Sequence, residues 1–250
     1  MSSNRPLKVR KGAKTLHRIF ADSGIKLSKF YKKNLVYEVK KDGKPKKFVV
    51  KVFKCRESAE EEIKHLMTLK NISGVTKVYS YTITDDFSYA IYKRIKGSDL
   101  YDIVTNKTGY YAEKDLKVLV KKILKILETI HSFDIVHRDI KPENIVLTKR
   151  DNPVIIDFEG WSSELYQSPE QLNDEKITTK SDMWSFGALC FFLATGEDYF
   201  PDQWDILDMD IDFKKGMFSK KFIDFLECLL VRNPDARYSA KEALKHVWLN

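Results

Sequence analysis

Ile135-Val136-His137-Arg138-Asp139-Ile140-Lys141-Pro142-Glu143-Asn144 is the stretch from which the rest of this chain is read. Its second half sets an acid, a cation and an amide within six residues. Asp139 can accept a proton, Lys141 can neutralise a phosphate, and Asn144 can offer a carbonyl oxygen to a metal ion. A second carboxylate follows in Asp157-Phe158-Glu159-Gly160, directly after the apolar run Val154-Ile155-Ile156. The bland reading is a charged surface loop.

Ten residues in this order, with an acid at position 157, resemble the catalytic loop and metal-binding motif of eukaryotic-type protein kinases. Lys141 is the residue that the serine/threonine members carry. The resemblance implies an α+β, bilobal fold: a small antiparallel sheet lobe with one short helix, and a larger, mainly helical lobe. ATP is implied as phosphate donor, with Mg²⁺ or Mn²⁺ held by Asn144 and Asp157. Asp139 is implied as the base, assisted by Lys141.

Composition narrows the field. Three cysteines (Cys55, Cys190, Cys228) lie scattered, with no Cys-x-x-Cys pair, which argues against a disulfide framework or a structural zinc site and for a reducing, intracellular setting, cytoplasm or nucleus. No apolar run approaches the ~20 residues of a membrane helix. Residues 1–54 hold 17 Lys or Arg against 3 acids, within a chain of net charge +8. The remainder is therefore net acidic, and the two parts suit partners of opposite sign or simply carry solvated charge.

Three segments follow: a basic N-terminal extension over 1–25, a kinase N-lobe over 26–94 and a C-lobe over 95–250. The extension is either a solvated tail or a contact for nucleic acid, an acidic surface or a second copy of the chain. Leu35–Val39 and Phe48–Phe53 read as strands joined by an Asp42-Gly43 turn. Lys51 is a lone ammonium in an apolar strand and needs an anion if buried. The resemblance makes it the lysine on the α- and β-phosphates, paired with a helix glutamate: Glu62, or Glu61 as its rival. Ser58-Ala59-Glu60-Glu61 reads as a capping box opening that helix. Only eleven residues separate Lys51 from Glu62, so the helix is expected to lack its first turns.

Counting back from Lys51 puts Val36 at the valine of the glycine-rich loop, and the three glycine positions read Lys29, Tyr31 and Asn34. Without glycine the backbone amides approach phosphate less closely, which argues for a disabled kinase unless Lys29, Lys32 and Lys33 compensate. Tyr79–Tyr92 reads as two strands around Asp85-Asp86. By resemblance Tyr92 is the gatekeeper, Lys93 and Ile95 meet the adenine edge through their backbone, and Val36, Val49 and Val146 flank the ring. Asp99 either meets the ribose or a basic substrate residue, or caps a helix over Ser98–Val104.

Glu113–Phe133 shows a helical stripe of core residues ending at the catalytic loop. His137, Arg138 and Phe158 are implied as structural members of the loops. So are Asp182, as anchor of the catalytic loop, and Glu170 with Arg237, as a buried pair. Glu159 stands in place of the family's glycine. Asp157 to Glu170 is a short activation segment with Ser162, Ser163 and Tyr166, so activity is expected without loop phosphorylation. The acidic run between Gly196 and Phe213, from Glu197 and Asp198 to Asp212, together with Asp99 and Glu143, points to a Lys/Arg-rich substrate or to a solvated acidic loop. Brevity and charge are similar to the compact kinases of large DNA viruses, including the baculovirus kinases associated with basic, DNA-packaging substrates. A pseudokinase, a basic nucleic-acid-binding protein and a homodimer are the alternatives that the residues leave open.

Overall fold

The computed structural model describes residues 25–31, 36–41, 44–158, 164–202, 204–209, 213 and 218–250. The basic extension, Lys32 to Asn34, the Asp42-Gly43 turn, Glu159, Ser162, Ser163, Asp210 and Asp212 lie outside the described residues. The chain forms two compact units. The first runs to Lys96 but excludes Ile72–Gly74, which belong with Gly97–Asn250 in the second. The boundary therefore falls two residues beyond the expected one. Gly74 joins the second unit through its carbonyl, which accepts from the Ile155 N–H at 2.8 Å.

The first unit is an antiparallel sheet of β1 (Ile25–Tyr31), β2 (Val36–Lys41), β3 (Lys44–Val52), β4 (Val78–Thr82) and β5 (Tyr89–Lys93), in the order β1-β2-β3-β5-β4. The β-branched run Val49-Val50-Lys51-Val52 favours the extended backbone, and its place between β2 and β5 buries both faces. Period-two alternation then divides the residues. Tyr37, Val39, Val50 and Val52 form a core cluster with Leu27, Phe87, Tyr89 and Ile91. The opposite face carries Val36 across from Lys51, and Val49 across from Tyr92.

Helix α1 spans Arg56–Thr68 and buries Ser58, Ala59, Glu62, Ile63 and Leu66. This corrects the expected capping box. The N-cap is Cys55, which makes no side-chain cap bond, and Ser58 is already inside the first turn, its Oγ 3.0 Å from Cys55 Sγ. Ser58 falls on the buried stripe because it precedes Glu62 by one turn, and that stripe rather than the cap decides where the helix starts.

The second unit opens with β6 (Gly97–Asp99), followed by α2 (Leu100–Ile103) and a π-helical turn over Val104–Thr108, so the single helix expected from Ser98 is divided. β6 pairs with β7 (Ile145–Thr148), and β7 with β8 (Pro153–Ile155). Gly97 is required there: a Cβ would lie 2.1 Å from the Leu147 carbonyl oxygen. Helix α3 (Glu113–His131) buries Leu116, Leu119, Val120, Ile123, Leu124, Leu127 and Ile130, the stripe read from the sequence. Then come α4 (Pro169–Leu172), α5 (Thr179–Thr195), α6 (Asp205–Asp208), α7 (Lys220–Leu229) and α8 (Ala240–Ala243). Helix α5 is buried on all sides, with a Thr178–Ser181 capping box at its start and left-handed Gly196 at its end. No helix among the described residues is long and apolar enough to cross a membrane.

Candidate active site

In the first unit the Lys51 ammonium lies 2.6 Å from Glu62 Oε2, and both side chains are almost wholly buried. The other carboxylate oxygen, Oε1, accepts the Tyr92 hydroxyl at 2.5 Å. Strand β3 aims Lys51 at the sheet face that α1 covers, and helical spacing places Glu62 there in line with Ala59, Ile63 and Leu66. Glu61 points to a less buried flank. Val36 and Val49 share the face of Lys51 and Tyr92. Lys93 closes β5, its N–H donating to the Lys77 carbonyl at 3.1 Å, and Ile95 follows in irregular backbone. Lys29 and Tyr31 fall within β1.

The second unit gathers Asp139, Lys141, Asn144 and Asp157. Lys141 Nζ lies 2.5 Å from Asp139 Oδ2. Asn144 Nδ2 donates to the same oxygen at 2.8 Å and to the Asp139 carbonyl at 2.9 Å. Asn144 sits on a 3-10 turn, Pro142–Asn144, that carries it back toward Asp139. Burial holds the Asp139 carboxyl above the ordinary aspartate value; Lys141 opposes this, and the charge of Asp157 adds to it. Asp157 takes the left-handed backbone, φ 66°, as does Arg138, φ 68°, a conformation that costs non-glycine residues about 1–3 kcal/mol and here sits on both sides of the site.

A divalent cation fits these residues on one observation. Asn144 Oδ1 is buried and has no hydrogen-bond partner among the described residues. A buried amide oxygen left unpaired is costly. A hard cation removes that cost, and the donors present, an amide oxygen and the Asp157 carboxylate, are of the type it takes.

The loop is held from behind. Asp182 on α5 accepts from the backbone N–H groups of His137 (2.9 Å) and Arg138 (2.8 Å), and its Oδ2 lies 2.8 Å from His131 Nε2. Full burial acts to raise the Asp182 carboxyl, but His131, His137 and the backbone donor outweigh it and hold the group below its usual value. His137 Nδ1 accepts from the Asp139 N–H at 3.3 Å, so its ring proton is on Nε2, 3.0 Å from the Ile156 carbonyl. The ring packs on Phe158 at 4.5 Å between centroids. Gln171 Nε2 donates to the Arg138 carbonyl at 3.1 Å.

Glu170 and Arg237 form a bidentate pair at 2.7 and 2.9 Å, with Ser181 Oγ donating to Glu170 at 2.7 Å. The remaining guanidinium donors go to the Val231, Lys180 and Arg232 carbonyls. Arg237 outweighs burial and keeps the Glu170 carboxyl low.

Asp99 caps α2, accepting from the Asp102 N–H at 2.8 Å. Its carboxyl is raised by burial first and also by neighbouring Asp102 and Glu143. Asp198 accepts from the Tyr166 hydroxyl at 2.6 Å, and burial pushes that phenol well above its usual value. Glu197 is exposed, its N–H bound to Thr195 Oγ1 at 3.0 Å. Asp202 and Asp205 cap local backbone, so part of the acidic run is turn chemistry. Val146 lies on β7 across from Asp99. Sequence reasoning missed His131, Gln171 and the Tyr92–Glu62 bond. The only sequence signal was the position of His131 at the end of the α3 stripe.

A buried Lys–Glu pair on an antiparallel sheet, and a helical unit whose loop sets Asp139, Lys141 and Asn144 together, define a protein kinase domain. The model of that family matches residues 32–249, and the chain belongs to it. Its relatives place it among the eukaryotic-type serine/threonine kinases. It is similar to a probable myosin light chain kinase of Dictyostelium discoideum, 32% identical over 221 residues, 78% of this chain and 55% of that protein. A second probable myosin light chain kinase of that organism is 30% identical over 232 residues, 81% and 74% respectively. Serine/threonine-protein kinase 17A of Oryctolagus cuniculus is 29% identical over 222 residues, 78% and 56% respectively. The chain thus spans little more than half the length of two of these three relatives.

Proposed function

We propose that the protein is an active serine/threonine kinase that transfers the γ-phosphate of ATP to a hydroxyl of a basic protein substrate. The observation that carries this is the treatment of Asp139. Lys141 and Asn144 both bind its Oδ2, while Asn144 keeps a buried oxygen without a partner among the described residues. A module that only binds has no use for that arrangement. Asp139 orients the substrate hydroxyl and takes its proton, and Lys141 neutralises charge on the transferred group. Lys51, held by Glu62, meets the α- and β-phosphates. Asn144 and Asp157 hold the cation, Mg²⁺ or Mn²⁺, which when bound neutralises phosphate charge. Val36, Val49, Tyr92, Lys93, Ile95 and Val146 serve the adenine.

Support for a basic substrate comes from the proximity of Asp99 and Glu143, whose mutual repulsion a Lys or Arg side chain relieves. Activity without loop phosphorylation rests on the short segment from Asp157 to Glu170. Loss of transfer in a Ser162→Ala, Ser163→Ala variant overturns that point.

The test of the whole reading is transfer from labelled ATP to a mixture of basic proteins, with Mg²⁺ and separately with Mn²⁺, for wild type and Asp139→Asn. Removing a positioned base should lower the rate about 10²–10⁴-fold. Absence of transfer by folded wild type with either metal overturns it in favour of a pseudokinase, for which the glycine positions occupied by Lys29, Tyr31 and Asn34 are the argument.

A further inference from the structure

The buried hydrogen bond between Tyr92 and Glu62 has no place in the reading above, which uses Tyr92 only as a wall of the adenine site. It joins two elements that sequence places far apart. Tyr92 lies on β5 and Glu62 on α1, thirty residues away, yet the phenol oxygen is 2.5 Å from Glu62 Oε1. The second carboxylate oxygen holds Lys51 at 2.6 Å. Strand β5 is bonded directly to β3, with Tyr92 across from Val49 and Ala90 across from Lys51. Lysine and tyrosine therefore come from adjacent strands of one rigid sheet, and both grip a single carboxylate on the helix.

We infer that Tyr92 is a positioning residue: its hydroxyl clamps Glu62, and through it α1, in the position that engages Lys51. The physical case is one of alternatives. Glu62 is 1% exposed, so its carboxylate must have donors wherever it sits in this fold. With Lys51 as its one strong donor the helix can move away and let water replace the lysine. A second donor from the sheet, charge-assisted and buried, makes that departure cost two bonds. At its start the helix is tied to the rest of the unit by an exposed ion pair, Arg56 to Asp85 at 2.5 Å, while the Cys55 N-cap supplies no side-chain bond; exposed pairs of this kind contribute little. The clamp is internal to the first unit and needs no modification to form.

This inference rests on the kinase reading for its consequence, but not for its test. The probe is the affinity for a fluorescent ATP analogue with Mg²⁺, measured for wild type, Tyr92→Phe, Glu62→Gln and the double variant, alongside kcat where transfer is seen. Tyr92→Phe keeps the ring and removes only the hydroxyl. If Tyr92 acts through Glu62, it should lower kcat about tenfold, weaken nucleotide binding severalfold and raise hydrogen exchange in α1. In the Glu62→Gln background the same change should do little more, because there is no carboxylate left to clamp. Equal effects in both backgrounds, or no effect in either, overturn the inference and leave Tyr92 as a pocket wall. Tyr92→Leu, measured in the same cycle, keeps the question decidable if the phenylalanine variant does not fold. Coupling in nucleotide affinity without any wild-type transfer would preserve the clamp and defeat the kinase reading. Transfer without coupling would do the reverse.

Discussion

Asn144 donates twice to Asp139 through one amide nitrogen, at 2.9 Å to the backbone carbonyl and 2.8 Å to the carboxylate. The bond fixes which way the amide faces. With Nδ2 committed to Asp139, Oδ1 must point the other way, where it is buried and has no partner among the described residues. One side chain thus orients the proposed base and offers a metal ligand, and the two roles cannot be separated by rotation.

Asn144→Ala should therefore fail in two respects. The Mg²⁺ concentration needed for half-maximal transfer should rise about 10–100-fold, and kcat should stay low at saturating metal because Asp139 has lost an orienting donor. A metal titration of transfer rate checks both. Full recovery at high Mg²⁺ would show that only the ligand role matters.

Arg237→Ala should destabilise the second unit by about 3–5 kcal/mol, because it leaves the buried Glu170 carboxylate facing Ser181 alone among its side-chain partners. Removing both charges with Glu170→Met and Arg237→Met should cost less than either single change. Urea unfolding of the three variants measures the difference. Transfer activity of any folded fraction should be affected less than stability.

Stability should fall on acidification through a defined window. Asp182 and Glu170 titrate below their ordinary values of 3.8 and 4.5 in the folded chain. The unfolded chain then binds more protons, so their contribution is complete above about pH 5 and is lost as pH falls through the folded values. Asp139 is raised by burial and acts in the opposite sense, costing stability above its ordinary value of 3.8. Asp182→Asn should flatten the acid side of the curve while lowering stability at neutral pH. Unfolding free energies between pH 3 and 7 provide the check.

Asp99→Asn with Glu143→Gln should raise KM for a Lys/Arg-rich peptide roughly tenfold and leave kcat nearly unchanged, the signature of lost ground-state binding. The wild-type KM should increase with salt, and the variant's should do so less steeply. Because Asp99 also caps α2, Glu143→Gln alone serves as the cleaner control.

Much of the site was legible in the sequence because its members are close in the chain. Asp139, Lys141 and Asn144 lie within six residues, and one loop with one 3-10 turn brings them together. Lys51 announced a partner by being charged in an apolar strand; the kinase resemblance offered Glu62 with Glu61 as its rival, and it is Glu62 that the ammonium meets. The opening of α1 was misread because a Ser-x-x-Glu string describes local capping. Burial of Ser58 on the helix stripe decided the start instead. The division of the segment after Ser98 into β6, α2 and a π-helical turn was also hidden, since pairing of Gly97–Asp99 with β7 is a contact between distant residues.

By itself the sequence determined the class of this protein through the resemblance of residues 135–144 and Asp157 to the kinase motifs, and the α3 stripe through helical periodicity. The tertiary structure chose between the partners left open and added those that no motif named. It put three residues, Lys51, Glu62 and Tyr92, into one buried network, set His131 behind Asp182, and left Asn144 with an oxygen unpaired among the described residues. The reason is physical: a buried polar atom takes its energy from partners supplied by other elements, and which partners arrive depends on packing that no local pattern encodes.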